Sequence, residues 1–184
     1  MQATTLTGIL KDIPDCYINI GGAYFYMYIM PEISDTHDAK YAETNGVGRS
    51  LPTYNFSNGG ARVINWTVHL YADFPGRLLS NLLFLRALES CTYPRNTENS
   101  FLPFVPPIIL QIKCGAVLGD VPLSVILQSY NVKFPVDVQW SDPQVVNGKN
   151  VGPIPYKLDV DCTFATVYDS LYLPGQDRIA VLVN

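Results

Sequence analysis

Few residues in this 184-residue chain could do chemistry, and their spacing limits what that chemistry could be. The two histidines are His37 and His69. Asp35, His37 and Asp38 fall within one short run, Ser34-Asp35-Thr36-His37-Asp38, and could offer oxygen and nitrogen ligands to a divalent cation. Two carboxylates and one imidazole at this spacing match no calcium-loop pattern, so the spacing leaves cation binding open. His69 falls on the polar side of an alternating stretch, where a solvated or hydrogen-bonded role is the plain expectation. Asp159 and Asp161 share one strand face, as the paired carboxylates of a glycosidase would. Lys157 and Thr163 flank them, so no apolar neighbour splits their pKa values into an acid and a base. Gly21-Gly22 and Ser57-Asn58-Gly59-Gly60 lack the lysine and the strand–loop–helix setting of a phosphate-binding loop, and no His-Glu-x-x-His occurs. The four cysteines, Cys16, Cys91, Cys114 and Cys162, contain no two-residue spacing typical of zinc knuckles or redox dithiols. Cys162 and Cys114 fall in phase with apolar positions, so buried thiols are expected. No enzyme, cofactor or metal centre is read from these residues.

The elements that position these residues are mostly strands. From Arg62, Ile64, Trp66, Val68 and Leu70 point one way and Val63, Asn65, Thr67 and His69 the other, the pattern of a half-buried strand. The period then changes. Leu78, Leu79, Leu82, Leu83, Leu85 and Leu88 recur at helical spacing, predicting a helix at about 74–91. Its expected core face is Leu78, Leu79, Leu82, Leu85 and Leu88, with Asp73 capping the first turn and Pro75 inside it. Residues Tyr156–Tyr168 predict the cleanest strand, with Tyr156, Leu158, Val160, Cys162 and Phe164 inward and Lys157, Asp159, Asp161 and Thr163 outward. Further strands are expected at Cys16–Ile20, Ala23–Met30, Ile108–Cys114, Leu123–Phe134 and Ile179–Val183. In Leu123–Phe134, Ser124, Ile126, Gln128, Tyr130, Val132 and Phe134 should share a face. Glu32 to Gly60 reads as a long irregular excursion. The expected fold class is mainly β with one packed α-helix. Residues 1–60 form an N-terminal extension and assembly segment, possessing at most short strands, and 61–184 form the β domain.

Charged residues make up 15% of the chain, against roughly 25% in ordinary globular chains. Twelve tyrosines and eight phenylalanines supply more aromatic surface than one small core hides. Together these favour a protein that spends its surface on contacts with other chains. A net charge of -4 argues against a nucleic-acid-gripping face. No apolar run is long enough for a transmembrane helix, and the N-terminus does not read as a signal peptide.

Four segments, NWTVHLYADFPGRLLSNLLFLRALESCTYPR, PFVPPIILQIKCG, YNVKFPVDVQW and YKLDVDCTFATVY, together resemble the baseplate tube-initiator or tube-adaptor proteins of contractile-tailed bacteriophages. The resemblance covers about residues 60–170. It implies a tail-tube-like β-sandwich or barrel that joins other copies in a ring, a homohexamer, and lines a DNA channel. Lys157, Asp159 and Asp161 would then face the channel water, and DNA would pass without specific binding. Implied partners are the baseplate hub and tail tube proteins, with sheath or wedge proteins beyond them. The implied place is the virion tail, assembled in the host cytoplasm away from membranes. Two alternatives remain: a secreted or surface ligand-binding β-sandwich whose aromatic patches hold a saccharide, and a peptidoglycan-binding or hydrolysing tail protein. The latter would lack the usual zinc histidines.

Overall fold

The structure, a computed structural model, describes residues 8–44, 51–60, 62–96, 104–119, 121–146 and 149–167. The strands are β1 (Cys16–Ile20), β2 (Ala23–Tyr26), β3 (Glu32–Thr36), β4 (Ala39–Thr44), β5 (Thr53–Gly59) and β6 (Val63–Tyr71), followed by helix α1 (Pro75–Thr92). Then come β7 (Arg95–Asn96), β8 (Phe104–Val105), β9 (Leu110–Cys114), β10 (Leu123–Lys133), β11 (Gln144–Val146), β12 (Lys149–Gly152) and β13 (Lys157–Thr166). The chain is mainly β, with one helix among the described residues. The expected strand at Ile179–Val183 and the Tyr168 end of the last long strand lie outside the described residues.

Seven strands form one antiparallel sheet in the order β2-β1-β9-β10-β13-β6-β3. Its two edges, β2 and β3, are consecutive in sequence, and only six residue steps carry the chain from Tyr26 to Glu32. Six steps reach at most ~21 Å, whereas six strand spacings in a flat sheet span roughly 29 Å. The sheet therefore has to roll, bringing its edges toward each other. Strands from both sides of position 60 build it. The stretch from Glu32 to Gly60 is not the irregular excursion expected: it contains edge strand β3 and the hairpin β4–β5, whose alternation is hidden by its polar composition.

Local sequence accounts for the main strands. Gly21 and Gly22 have φ of 58° and 93°, the left-handed pair that a two-residue β-hairpin turn demands between β1 and β2. The alternation of β6 and β13 is realised as read: Ile64, Trp66, Val68 and Leu70 are buried against Leu158, Val160, Cys162 and Phe164. Tyr156, expected inside, precedes β13 and is 39% exposed. In β10 the single-face reading fails. The register shifts between Leu127 and Ser129, so Gln128 is an extra residue opposite β13. This bulge flips the alternation. Val125 and Leu127 are buried before it, and Tyr130 and Val132 turn onto the same core after it, while Ile126 stays exposed.

The helix also departs from its expected face. Its buried residues are Leu78, Asn81, Phe84, Leu88 and Cys91. Leu85 is half-buried but packs against the core as expected, whereas Leu79 and Leu82 are half-buried away from it and Leu83 is 64% exposed. The leucines occupy too wide an arc for one core to cover, so the sheet takes the line through Phe84, Leu88 and Cys91, while Leu78 is buried outside that cluster. Phe84 meets Phe25 of β2 with ring centroids 5.2 Å apart. Leu79, Leu82, Leu83 and Arg86 instead line an open groove of about 590 Å³ with Asn150 and Val151 of β12. Asp73 does not cap: Phe74 holds the N-cap position without a side-chain bond, and Pro75 opens the first turn. Pro75 fits there because the amide it lacks would have had no partner in the helix.

Leu78→Ala and Leu88→Ala should each lose about 2–5 kcal/mol in chemical denaturation, the cost of a core cavity. Leu83→Ala should stay within ~0.5 kcal/mol of the parent. Comparable losses for all three would refute this assignment of the helix faces.

Candidate functional site

The outward side chains of β13 meet partners on both neighbouring strands. Register sets Lys157, Asp159, Asp161 and Thr163 opposite Tyr71, His69, Thr67 and Asn65 of β6. Each pair interacts. The Lys157 ammonium lies 5.5 Å from the Tyr71 ring centre. His69 Nδ1–H donates to Asp159 Oδ1 at 2.7 Å, Thr67 Oγ1 donates to Asp161 Oδ1 at 2.8 Å, and Thr163 Oγ1 donates to Asn65 Oδ1 at 3.1 Å. From β10, Lys133 Nζ reaches Asp161 Oδ2 at 2.6 Å. From β3, Glu32 Oε1 lies 4.0 Å from His69 Nε2. Four strands thus share a polar face laced together by cross-strand pairs.

Lys157, Asp159 and Asp161 do share the outward face that the sequence predicts. They are not a bare water-exposed strip: the Asp159 and Asp161 side chains are only 22% and 33% exposed because their partners cover them. The hydrogen bond from Lys133, with Thr67 second, holds the Asp161 carboxyl below its ordinary value of 3.8, and Asp161 in turn pushes Lys133 upward. The Asp159–His69 pair resembles the base and orienting carboxylate of a hydrolase. Its free side, Nε2, faces the Glu32 carboxylate rather than a hydroxyl or thiol nucleophile, so it lacks the third member that acyl transfer needs. Sequence reading missed Lys133, Thr67, Asn65, Tyr71 and Glu32 as members of this face. Alternation along β6 marks Asn65, Thr67 and Tyr71 as outward, whereas Lys133 follows the β10 bulge and Glu32 lies in the stretch read as irregular; strand order and register, which choose the partners, have no local signal.

The candidate cation ligands are otherwise engaged or apart. Arg62 grips the Asp35 carboxylate with Nε at 2.9 and 3.0 Å and with Nη2. Among the described residues no three His, Cys, Asp or Glu side chains converge on a common point as metal ligands would.

A second polar cluster fixes the helix start. Arg77 pairs with Asp73 at 2.9 Å and Asp12 at 3.5 Å, donates to the Leu10 carbonyl at 2.8 Å, and stacks 4.2 Å from the Tyr28 ring centre. Asp73 accepts from the Leu10 amide at 2.9 Å, which explains why it is not available as a cap. The Tyr28 hydroxyl accepts from the Tyr71 amide and donates to Asn81 Oδ1 at 3.1 Å, while Asn81 Nδ2 donates to the Tyr71 carbonyl at 3.3 Å. Burial pushes the Tyr28 hydroxyl up to about 12. This cluster ties β6, α1 and the β2–β3 link together.

Comparison with models of known protein families and with curated proteins found no match to the chain.

Because folded Asp161 titrates below 3.8, its contribution to stability is present above that value and fades as pH falls through the folded pKa. Asp161→Asn should therefore be less stable than the parent at pH 7, and its stability should fall less steeply below pH 3.8. Identical acid slopes in urea titrations would show that the Lys133 pair contributes nothing to folding. Tyr28→Phe should cost about 1–3 kcal/mol at neutral pH, since it strands the Tyr71 amide and the Asn81 carbonyl. A loss within error of zero would show that Tyr28 does not fasten the helix.

Proposed function

We propose that this protein is a non-enzymatic structural subunit of a contractile phage tail baseplate. Six copies form a ring that joins the baseplate hub to the tail tube, and the polar face of β10–β13–β6–β3 is turned to the DNA channel. The observation that carries the assembly reading is the β4–β5 hairpin. Every residue of both strands is exposed, including Tyr41, Tyr54 and Phe56, and the hairpin pairs with no other strand of the described chain. A two-stranded hairpin alone is marginal in water. Aromatic side chains on such an arm suit burial against another subunit. The open edges β2 and β3 add a second means of joining copies, since ring closure removes edges that would otherwise pair without control. The resemblance of residues 60–170 to tube-initiator proteins supplies the hexamer and the place in the virion.

The channel reading draws on chemistry. The face is polar, its two lysines are engaged with Asp161 and the Tyr71 ring, and Glu32, Asp159 and Asp161 leave it with more acid than base. Such a surface repels phosphate and favours passage over binding. A second reading, a saccharide-binding sandwich, draws on Tyr24 and Tyr26, whose rings stack 6.2 Å apart with Tyr17 edge-on to both. Glycan-array binding would favour that alternative.

Mass measurement of the purified chain, or imaging of assembled particles, should show a closed ring of six with Asp159 on its inner wall. A persistent monomer within the particle would overturn the ring, and an outward or interfacial Asp159 would overturn the channel assignment alone. Tyr41→Ser combined with Phe56→Ser should leave folding within ~0.5 kcal/mol of the parent and weaken ring assembly by roughly tenfold or more. Unchanged assembly would remove the hairpin from the subunit contact.

A further inference from the structure

Cys16 of β1 lies directly opposite Cys114 of β9 in an antiparallel pair. The Cys16 carbonyl accepts from the Met27 amide at 2.9 Å and the Cys16 amide donates to the Ile13 carbonyl at 3.3 Å, both directed away from β9. Next to the pair, the Gly115 amide donates to the Asp15 carbonyl at 2.8 Å. Cys16 and Cys114 therefore occupy a non-hydrogen-bonded site, where Cα atoms stand about 4.5 Å apart and side chains approach most closely. That separation falls at the near end of the ~4.4–6.8 Å range that disulfides span. The Cys16 thiol donates to Cys114 Sγ at 3.6 Å, and both residues are 1% exposed. The other two cysteines are placed differently: Cys91 Sγ donates to the Ala87 carbonyl within α1, and Cys162 faces Trp66 and Tyr130 across its ladders.

We propose that Cys16 and Cys114 are a redox pair that closes to an intramolecular cross-strand disulfide by exchange with a small-molecule disulfide such as oxidised glutathione. One thiolate attacks a glutathione sulfur and releases the first glutathione thiolate, leaving a mixed disulfide on the protein. The second cysteine thiolate attacks the protein-side sulfur and releases the other glutathione. Two protein thiols and one glutathione disulfide become one protein disulfide and two glutathione thiols, which take up the two protons. Closing the bond fixes the β1–β2 hairpin to a strand 98 residues further along the chain and restricts the unfolded chain accordingly. Burial first, and the Cys114 contact second, push the Cys16 thiol up to about 12, so the closed sheet holds it protonated and slow to react. Exchange then proceeds through opening of the sheet end, where β1 is covered by edge strand β2 alone.

The full-length chain incubated with oxidised glutathione, with and without submolar urea, provides the test. Intact mass under a denaturing acid quench should show the loss of two thiol hydrogens without a glutathione adduct. Digestion should yield one cross-linked peptide pair holding Cys16 and Cys114. The oxidised chain should melt at a higher temperature than the same sample after dithiothreitol, and urea should speed the exchange. Four thiols still open to alkylation, a persisting glutathione adduct, a bond to Cys91 or Cys162, or a bond between chains would each overturn the proposal. Cys16→Ala and Cys114→Ala should each abolish the cross-linked pair, and the decision rests on the parent chain, whose folding is not in question.

Discussion

The short link from Tyr26 to Glu32 constrains almost everything else in the molecule. It has to join the two edges of a seven-stranded sheet, so the sheet rolls and its concave side is enclosed. Within the link, Met27 drops into the core at 3% exposure and its amide and carbonyl bond to Cys16 and Ile13. Tyr28 packs against the same core, and its hydroxyl meets both Asn81 of the helix and the end of β6. One stretch therefore sets the curvature, seals the core and fixes the seat of α1. Asn81 follows from this arrangement: a polar residue on the buried helix face would be costly unless its amide were paired, and Tyr28 and Tyr71 pair it.

With the helix seated by Asn81, its leucines fall on two surfaces. Phe84, Leu88 and Cys91 join the core, Leu78 is buried outside that cluster, and Leu79, Leu82 and Leu83 line the groove shared with β12. An apolar helix face outside the core lies in the same molecule as the exposed β4–β5 arm. Both are surfaces that the described residues leave uncovered, in keeping with a chain poor in charge and rich in aromatics.

The sequence announced elements whose two sides differ in polarity. β6 and β13 alternate without interruption, so their inward and outward residues follow from period alone. Gly21-Gly22, set between two apolar stretches, is a turn signal of the same local kind. The β10 bulge was not legible, because the switch from Val125 and Leu127 to Tyr130 and Val132 looks like a broken alternation until a partner strand shows Gln128 to be the extra residue. The helix face was misread because leucine content does not say which leucines the sheet selects, and the deciding residue is an asparagine. β3 and β4–β5 were hidden by polar composition: β3 sends only Ile33 to the core and β4–β5 sends nothing, so no period betrays them. The Asp159–His69 and Cys16–Cys114 pairs bridge 90 and 98 residues, and only strand order brings them together.

The same order gives the polar face its character. A surface that grips phosphate needs cations with hydrogen-bonding capacity to spare. Here Lys133 is committed to Asp161, and Lys157 lies over an aromatic ring on a strand of acids. A phosphate approaching the remaining donors of Lys133 would have to sit beside the Asp161 carboxylate already held at 2.6 Å. At physiological ionic strength, screening over about 8 Å confines this penalty to the first layers of water at the face. The face thus deters adhesion at contact without repelling a polyanion from afar. That combination follows from pairing each lysine locally, and a sheet with the same residues in another register would not have it.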